Sequence, residues 1–226
     1  MTDFSSLLQN IGNVKVIDDH ISYEDYIPID LSAANPVLSA LDFNESFTYE
    51  AFVENYLKTK KAKVAFGGYN EKRSLYKRSS IFKNDATAER NIHIGIDLWT
   101  KAETPVLAAL DGTVHSFKFN DGFGDYGPTI ILRHQIENVV FHTLYGHLSL
   151  ESIRNLEVGH VFAKGVKIGT LGDATVNGDY APHLHFQIII NMGNQLGDYP
   201  GVCSESDLPF YLENCPDPNL LLKITL

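Results

Sequence analysis

From Lys63 onward the chain breaks into short β-branched or apolar runs divided by glycine-bearing turns, a pattern that a helical fold cannot accommodate. Val106, Ala108 and Leu110 alternate, Asp111-Gly112 marks a tight turn, and Thr113 to Phe117 resumes as a strand. Thr129 to Arg133 and Val139 to Leu144 form two further runs joined by a short polar loop. Val158-Gly159 and Lys164-Gly165 punctuate another strand pair that ends near Leu171, and His183 to Ile190 is a last apolar strand. Strands at this spacing, with few helical periods between them, predict a mainly β protein built on an antiparallel sheet or sandwich.

The first sixty residues read differently. Phe4, Leu7, Leu8 and Ile11 keep helical spacing, with Gly12 as a stop. Tyr23 to Pro36 carries two prolines and no period, and is expected to be a loop. Tyr49, Phe52, Val53, Tyr56 and Leu57 return to helical spacing, and the lysines that follow suit a helix C-terminus. The aromatics of this stretch are expected to face a core. The division predicted is a helical and irregular appendage over 1–60 and a β domain over 61–226.

Net charge excludes one class of partner. Formal net charge is -10 over 226 residues, and the densest basic run, Lys58 to Lys63, holds four lysines. Nucleic-acid binding needs clustered Lys and Arg, so no nucleic-acid partner is expected. No apolar stretch reaches the length of a membrane span. The start, Met1-Thr2-Asp3-Phe4-Ser5-Ser6, has neither the basic opening nor the apolar core of an export signal. The expectation is a cytoplasmic protein, or an exported one whose signal is absent from this chain. Cys203 and Cys215 are the only cysteines, lie in no Cys-x-x-Cys spacing, and are expected to be free thiols.

The chemistry lies in the histidines. In a strand, residues an even number apart share a face, so His93 and Asp97 of His93-Ile94-Gly95-Ile96-Asp97 are expected together, with Gly95 leaving room between them. His183 and His185 likewise share a face. Two imidazoles and a carboxylate make a donor set for a divalent transition metal, zinc above all, and three protein ligands leave a fourth position open. Spacing alone leaves open which histidine of the His-x-His pair ligates. There is no His-Glu-x-x-His helix and no Gly-x-Ser-x-Gly elbow.

These segments stand in a telling order with their flanks: Thr104-Pro105-Val106, Asp111-Gly112-Thr113-Val114, Tyr145-Gly146-His147-Leu148-Ser149 and Pro182-His183-Leu184-His185-Phe186. The series, over about Asn91 to Ile190, resembles the lysostaphin-type (LytM-like) zinc endopeptidases, most of which cut peptide cross-links in bacterial cell walls. The resemblance implies a LytM-like sheet with a groove, built from paired β-hairpin units. It implies Zn2+ as cofactor, held by His93, Asp97 and His185, with His147 and His183 as non-ligating catalytic histidines. The implied substrate is a peptide or peptidoglycan fragment. The rival expectation is a silent, metal-binding regulatory module of the same fold. Asn70 and Asn91 are candidates for the upstream asparagine that some family members add as a fourth ligand in a latent form. Tyr69 and Tyr76 are candidate oxyanion donors. Trp99 and the remaining histidines, His20, His115, His134, His142 and His160, are expected to be packed or surface residues.

Overall fold

The structure, a computed structural model, describes residues 4–12, 14–39, 46–82 and 89–225. Its strands run in chain order β1 (Tyr26–Pro28), β2 (Val64–Gly67), β3 (Glu71–Lys72), β4 (Ile92–His93), β5 (Ile96–Trp99), β6 (Pro105–Leu107) and β7 (Gly112–Asn120). They continue as β8 (Gly127–Ile136), β9 (Val139–Gly146), β10 (Val161–Phe162), β11 (Lys167–Thr170), β12 (His183–Ile189) and β13 (Val202–Cys203). Among the described residues an eight-stranded sheet has the order β1-β2-β5-β12-β9-β8-β7-β10. All its pairings are antiparallel except β1 with β2. Two small sheets, β11-β6 and β13-β4-β3, complete the set. The mainly β architecture expected from the turn-punctuated runs is the one observed.

Strand β12 shows how the sequence sorts itself. Leu184, Phe186 and Ile188 enter the main core with Ile96, Leu98, Ile130, Leu132 and Tyr145. The alternate set, His183, His185, Gln187 and Ile189, faces the other side, and all seven residues of the strand are buried. One face of the sheet therefore carries the principal core and the opposite face carries the polar cluster described below.

The N-terminal residues pack into the same core. Helix α1 (Phe4–Asn10) buries Leu7 and Leu8 beside Val16, Ile17, Leu221 and Leu222. The short α2 (Pro36–Ser39) precedes α3 (Ser46–Lys60), from which Tyr49 and Val53 are buried against Ala65 and Trp99. The segment expected to be a loop holds a strand instead: Tyr26–Pro28 adds in parallel to the edge of β2, in register Tyr26↔Val64. Its signal was short, and Pro28 is tolerated because the strand is at a sheet edge. Beyond β12, β13 and the helices α4 (Leu208–Asn214) and α5 (Asn219–Leu222) also form, without a strong periodic signal in the sequence. Both cysteines are free and buried, and burial pushes the thiols up, Cys203 to about 11 and Cys215 to about 12. No helix among the described residues is long and apolar enough to cross a membrane.

His142 is packed on β9 with its ring 4.8 Å from that of His115. Burial first, and His115 second, lower its pKa from 6.5 to about 4. The unfolded chain then takes up the proton first as pH falls below 6.5, so this contribution to stability is lost between about pH 6.5 and pH 4. The melting temperature should drop over that interval, and drop less steeply in His142→Phe, as followed by circular dichroism at each pH.

Candidate metal centre

The site grows out of strand register. Asp97 on β5 and His185 on β12 are direct cross-strand partners, and His183 stands opposite Trp99 two residues away. Opposed residues in an antiparallel pair bring their Cβ atoms to about 5 Å on one face. Asp97 and His185 therefore meet by pairing alone.

His93 arrives by another route. The segment expected to be one strand is broken: β4 ends at His93, β5 begins at Ile96, and β4 pairs with β3 and β13 in a separate small sheet. His93 and Asp97 come together at the junction of two sheets, not on a continuous strand. Gly95 lies in the break, and what approaches it is the His185 ring. A Cβ at position 95 would lie 2.5 Å from His185 Cε1 and 2.6 Å from its Nε2.

Three donor atoms converge. His93 Nε2 is 2.8 Å from His185 Nδ1, His185 Nδ1 is 3.1 Å from Asp97 Oδ1, and His93 Nε2 is 3.3 Å from Asp97 Oδ1. Three ligands on a tetrahedral zinc with bonds of 2.0–2.1 Å stand roughly 3.3 Å apart, so the triangle is close to the size such an ion needs. Their outer atoms are committed elsewhere. His93 Nδ1 donates to Gly68 O at 2.8 Å, and His185 Nε2 donates to Gln187 Oε1 at 2.9 Å. Two lone pairs then face each other across 2.8 Å beside a carboxylate oxygen, an arrangement that calls for a cation between them. The donors fit a divalent transition metal, and two imidazoles with one carboxylate fit zinc.

The second oxygen of Asp97 is also held. Arg73, 3% exposed, donates Nη1 to Asp97 Oδ2 at 2.6 Å and Nε to Glu71 Oε2 at 2.6 Å. Burial pushes the Asp97 carboxyl up, but its neighbours, His93 and Arg73 foremost, hold it well below the usual carboxylate range. Burial, with Arg73, lowers His93 to about 4. At neutral pH the pair is thus a neutral imidazole and a carboxylate, the protonation states that ligation requires.

His147 and His183 lie beside this triangle. Their rings are 4.2 Å apart, and His183 Nε2 is 3.9 Å from Asp97 Oδ1. His147 Nδ1 donates to Asn177 O at 2.8 Å and His183 Nδ1 to Ala181 O at 2.7 Å, which leaves each Nε2 a lone pair. Burial is the first cause that lowers both pKa values, well below the ordinary value for His147. His147 has φ of +62°, a left-handed backbone that costs a non-glycine residue on the order of 1 kcal/mol. Trp99 stacks on His183, centroids 5.7 Å apart and planes at 21°.

All five residues line one cavity of about 240 Å³, together with Tyr49, Tyr76, Tyr126, Tyr180 and Arg90 among others. Of the N-terminal helices, α3 reaches it through Tyr49. Tyr76 accepts from Arg73 Nη1 at 3.3 Å, so its own proton is left for another acceptor. Tyr69 donates instead to Cys215 O and does not line the cavity. Neither Asn70 nor Asn91 lines it. The turns Leu75–Arg78 and Ser80–Phe82 run along the cavity, tied down by Arg78 to Asp179 Oδ2 at 3.0 Å and by Ser79 Oγ to Phe123 O at 2.6 Å. Arg73, Glu71 and Gln187 carried no signal in the sequence. The alternation of β12 does place position 187 on the face of His185.

Residues 91–196, which contain the whole donor triangle and both further histidines, match the family model of peptidase family M23. The match spans just under half of the chain. An uncharacterized metalloprotease of Haemophilus influenzae is 31% identical over 109 residues, 48% of this chain and 21% of that protein. The peptidoglycan DD-endopeptidase ShyC of Vibrio cholerae is 33% identical over 106 residues, 46% of this chain and 22% of that protein. The chain thus matches about a fifth of the length of these curated relatives. Among solved structures, the catalytic domain of lysostaphin from Staphylococcus simulans is 27% identical, with a TM-score of 0.38, over 54% of this chain and 80% of that one.

Gly95 gives a direct test of the packing. Gly95→Ala presses a methyl group against the His185 ring, 2.5 Å from Cε1, and overpacking of this kind costs about 1–3 kcal/mol. The variant should unfold at lower denaturant and bind zinc more weakly, read by chemical denaturation and by competition with a chromophoric chelator. Unchanged values for both would show that His185 does not need that space.

Proposed function

We propose that the chain is a zinc-dependent peptidase that hydrolyses peptide bonds in peptidoglycan-derived or related peptides. The observation that carries this reading is the convergence of three lone-pair donors whose outer atoms are all spoken for. His93 Nε2, Asp97 Oδ1 and His185 Nδ1 hold the ion. Zinc, when bound there, supplies a Lewis acid that polarises a carbonyl and makes water a nucleophile near neutral pH.

The rest falls to the chain. His147 and His183 are neutral at working pH because burial disfavours their charged forms, so one accepts the proton of the attacking water at Nε2. Rings 4.2 Å apart do not both carry charge, so a single proton is passed within the pair and on to the leaving amine. The Tyr76 hydroxyl, kept as an O–H donor by burial and oriented by Arg73, stands ready for the oxyanion. Aromatic side chains, among them Tyr49, Tyr126 and Tyr180, wall the cavity around these groups. The choice of a peptidoglycan peptide follows from the likeness to ShyC and from the family resemblance, and concerns the substrate class rather than the bond cut.

Two measurements test this. Protein purified without chelator should contain one zinc per chain, and removing it should abolish cleavage of a panel of muropeptides, with activity returning on added zinc. A protein that takes up no zinc, or that cleaves equally well without it, overturns the reading. His147→Ala and His183→Ala should keep the metal and lose about a hundred- to ten-thousand-fold in turnover. If either loses zinc as readily as His93→Ala, the roles are misassigned. A silent regulatory module would bind zinc and cleave nothing in the panel.

A further inference from the structure

Gln187 lies two residues beyond His185 on the same face of β12, with none of its surface exposed. Its two ends have opposite tasks. Oε1 accepts from His185 Nε2 at 2.9 Å. Its amide nitrogen donates to Pro200 O at 3.2 Å and to Cys215 Sγ at 3.2 Å. Pro200 O can only accept, so the amide nitrogen must face it, and the amide oxygen is thereby turned towards the imidazole. The other polar group near His185 Nε2, the Tyr126 hydroxyl, is at 3.4 Å and makes at most a poor bond. Pro200 and Gly201 line the cavity, and Gly201 O accepts from Ile94 N at 3.0 Å, beside the break that positions His93.

Resting on the reading of this site as a zinc centre, we propose that Gln187 is its positioning residue: it fixes His185 as the Nε2–H tautomer with Nδ1 towards the ion. The same amide fastens the Pro200 wall of the substrate cavity to the ligand strand. The site specifies an amide for a physical reason. A carboxylate at this position accepts from His185 equally well but sets a second oxygen 3.2 Å from a carbonyl oxygen. A thioether of the same length serves neither partner and leaves a buried imidazole N–H unpaired.

The two halves of the amide separate experimentally. Zinc affinity is measured by chelator competition for wild type, Gln187→Glu and Gln187→Met, with the melting temperature of each metal-free protein alongside. Gln187→Met should bind zinc about 10–100-fold more weakly, the usual effect of removing the outer partner of a ligating histidine. Gln187→Glu, which keeps the acceptor, should return zinc affinity towards wild type. Both variants lose the bond to Pro200, so both should melt lower. A residue that only filled space would lower the melting temperature without this split in affinity. In the zinc-loaded wild type, the His185 ring should show a slowly exchanging Nε2–H signal in 1H–15N spectra, which decides the matter even if a variant fails to fold. Folded Gln187→Met with wild-type zinc affinity, Gln187→Glu as weak as Gln187→Met, or a wild-type His185 protonated on Nδ1 would each overturn the proposal. If wild type binds no zinc, the zinc-centre reading falls first; if it binds and the variants match it, only the role of Gln187 falls.

Discussion

The polar face of this protein depends on two imidazole nitrogens held 2.8 Å apart with their lone pairs facing. Such a contact is repulsive unless a cation or a proton lies between, and burial, with Arg73, disfavours an extra proton on His93, whose pKa is lowered to about 4. The fold maintains the arrangement by fixing the far side of each ring. Gly68 O and Gln187 Oε1 take the outer N–H groups, and Arg73 takes the outer oxygen of Asp97. Each donor of the triangle is aimed by what stands behind it.

That support is expensive. Arg73, Asp97 and Glu71 form an almost wholly buried set of charges, and desolvating such groups costs several kcal/mol per ion before their mutual attraction offsets it. A hydrophobic core would be a cheaper way to fill the space. What the charges provide is placement. Asp97 Oδ2 is fully engaged, so Oδ1 alone is free towards the donor triangle. Arg73 also packs so closely on Gly68 that a Cβ there would fall 1.8 Å from its Nη2. Gly68, with φ of +99°, therefore lets one backbone carbonyl serve His93 while the guanidinium serves Asp97 behind it.

The sequence made part of this legible, and the reason follows from range. Parity along one strand is local, so the shared face of His183 and His185 could be read from their spacing, and so could the mainly β class. The partnership of Asp97 with His185 is a register between strands 88 residues apart, which spacing does not encode; resemblance to a family brought those residues together. For His93 the parity argument reached the right neighbour through the wrong geometry, because the chain changes sheets at Gly95. Arg73 and Glu71 had no signal at all. Their roles depend on β3 lying beside β4, a pairing of two residues in each strand. Nor did prolines and weak periodicity disclose β1, whose pairing is set by the edge that β2 offers.

Burial links these features to chemistry. The same burial that makes the facing lone pairs costly also depresses His147 and His183, which favours the neutral form in which an imidazole can accept a proton. It keeps Tyr76 protonated, hence a donor. One physical cause thus shifts acids up and bases down together, and each shift leaves its group in the neutral form that can give or take a proton. Asp97 is the exception: burial raises it, but His93 and Arg73 beside it hold it well below the usual carboxylate range. Asp97 is the carboxylate for which the fold provides a buried cation, while the outer nitrogens of the histidines meet carbonyl and amide oxygens. The orientation of each group in the site is therefore set by the residue behind it: Arg73 behind Asp97, Gly68 behind His93, Gln187 behind His185, Asn177 behind His147 and Ala181 behind His183.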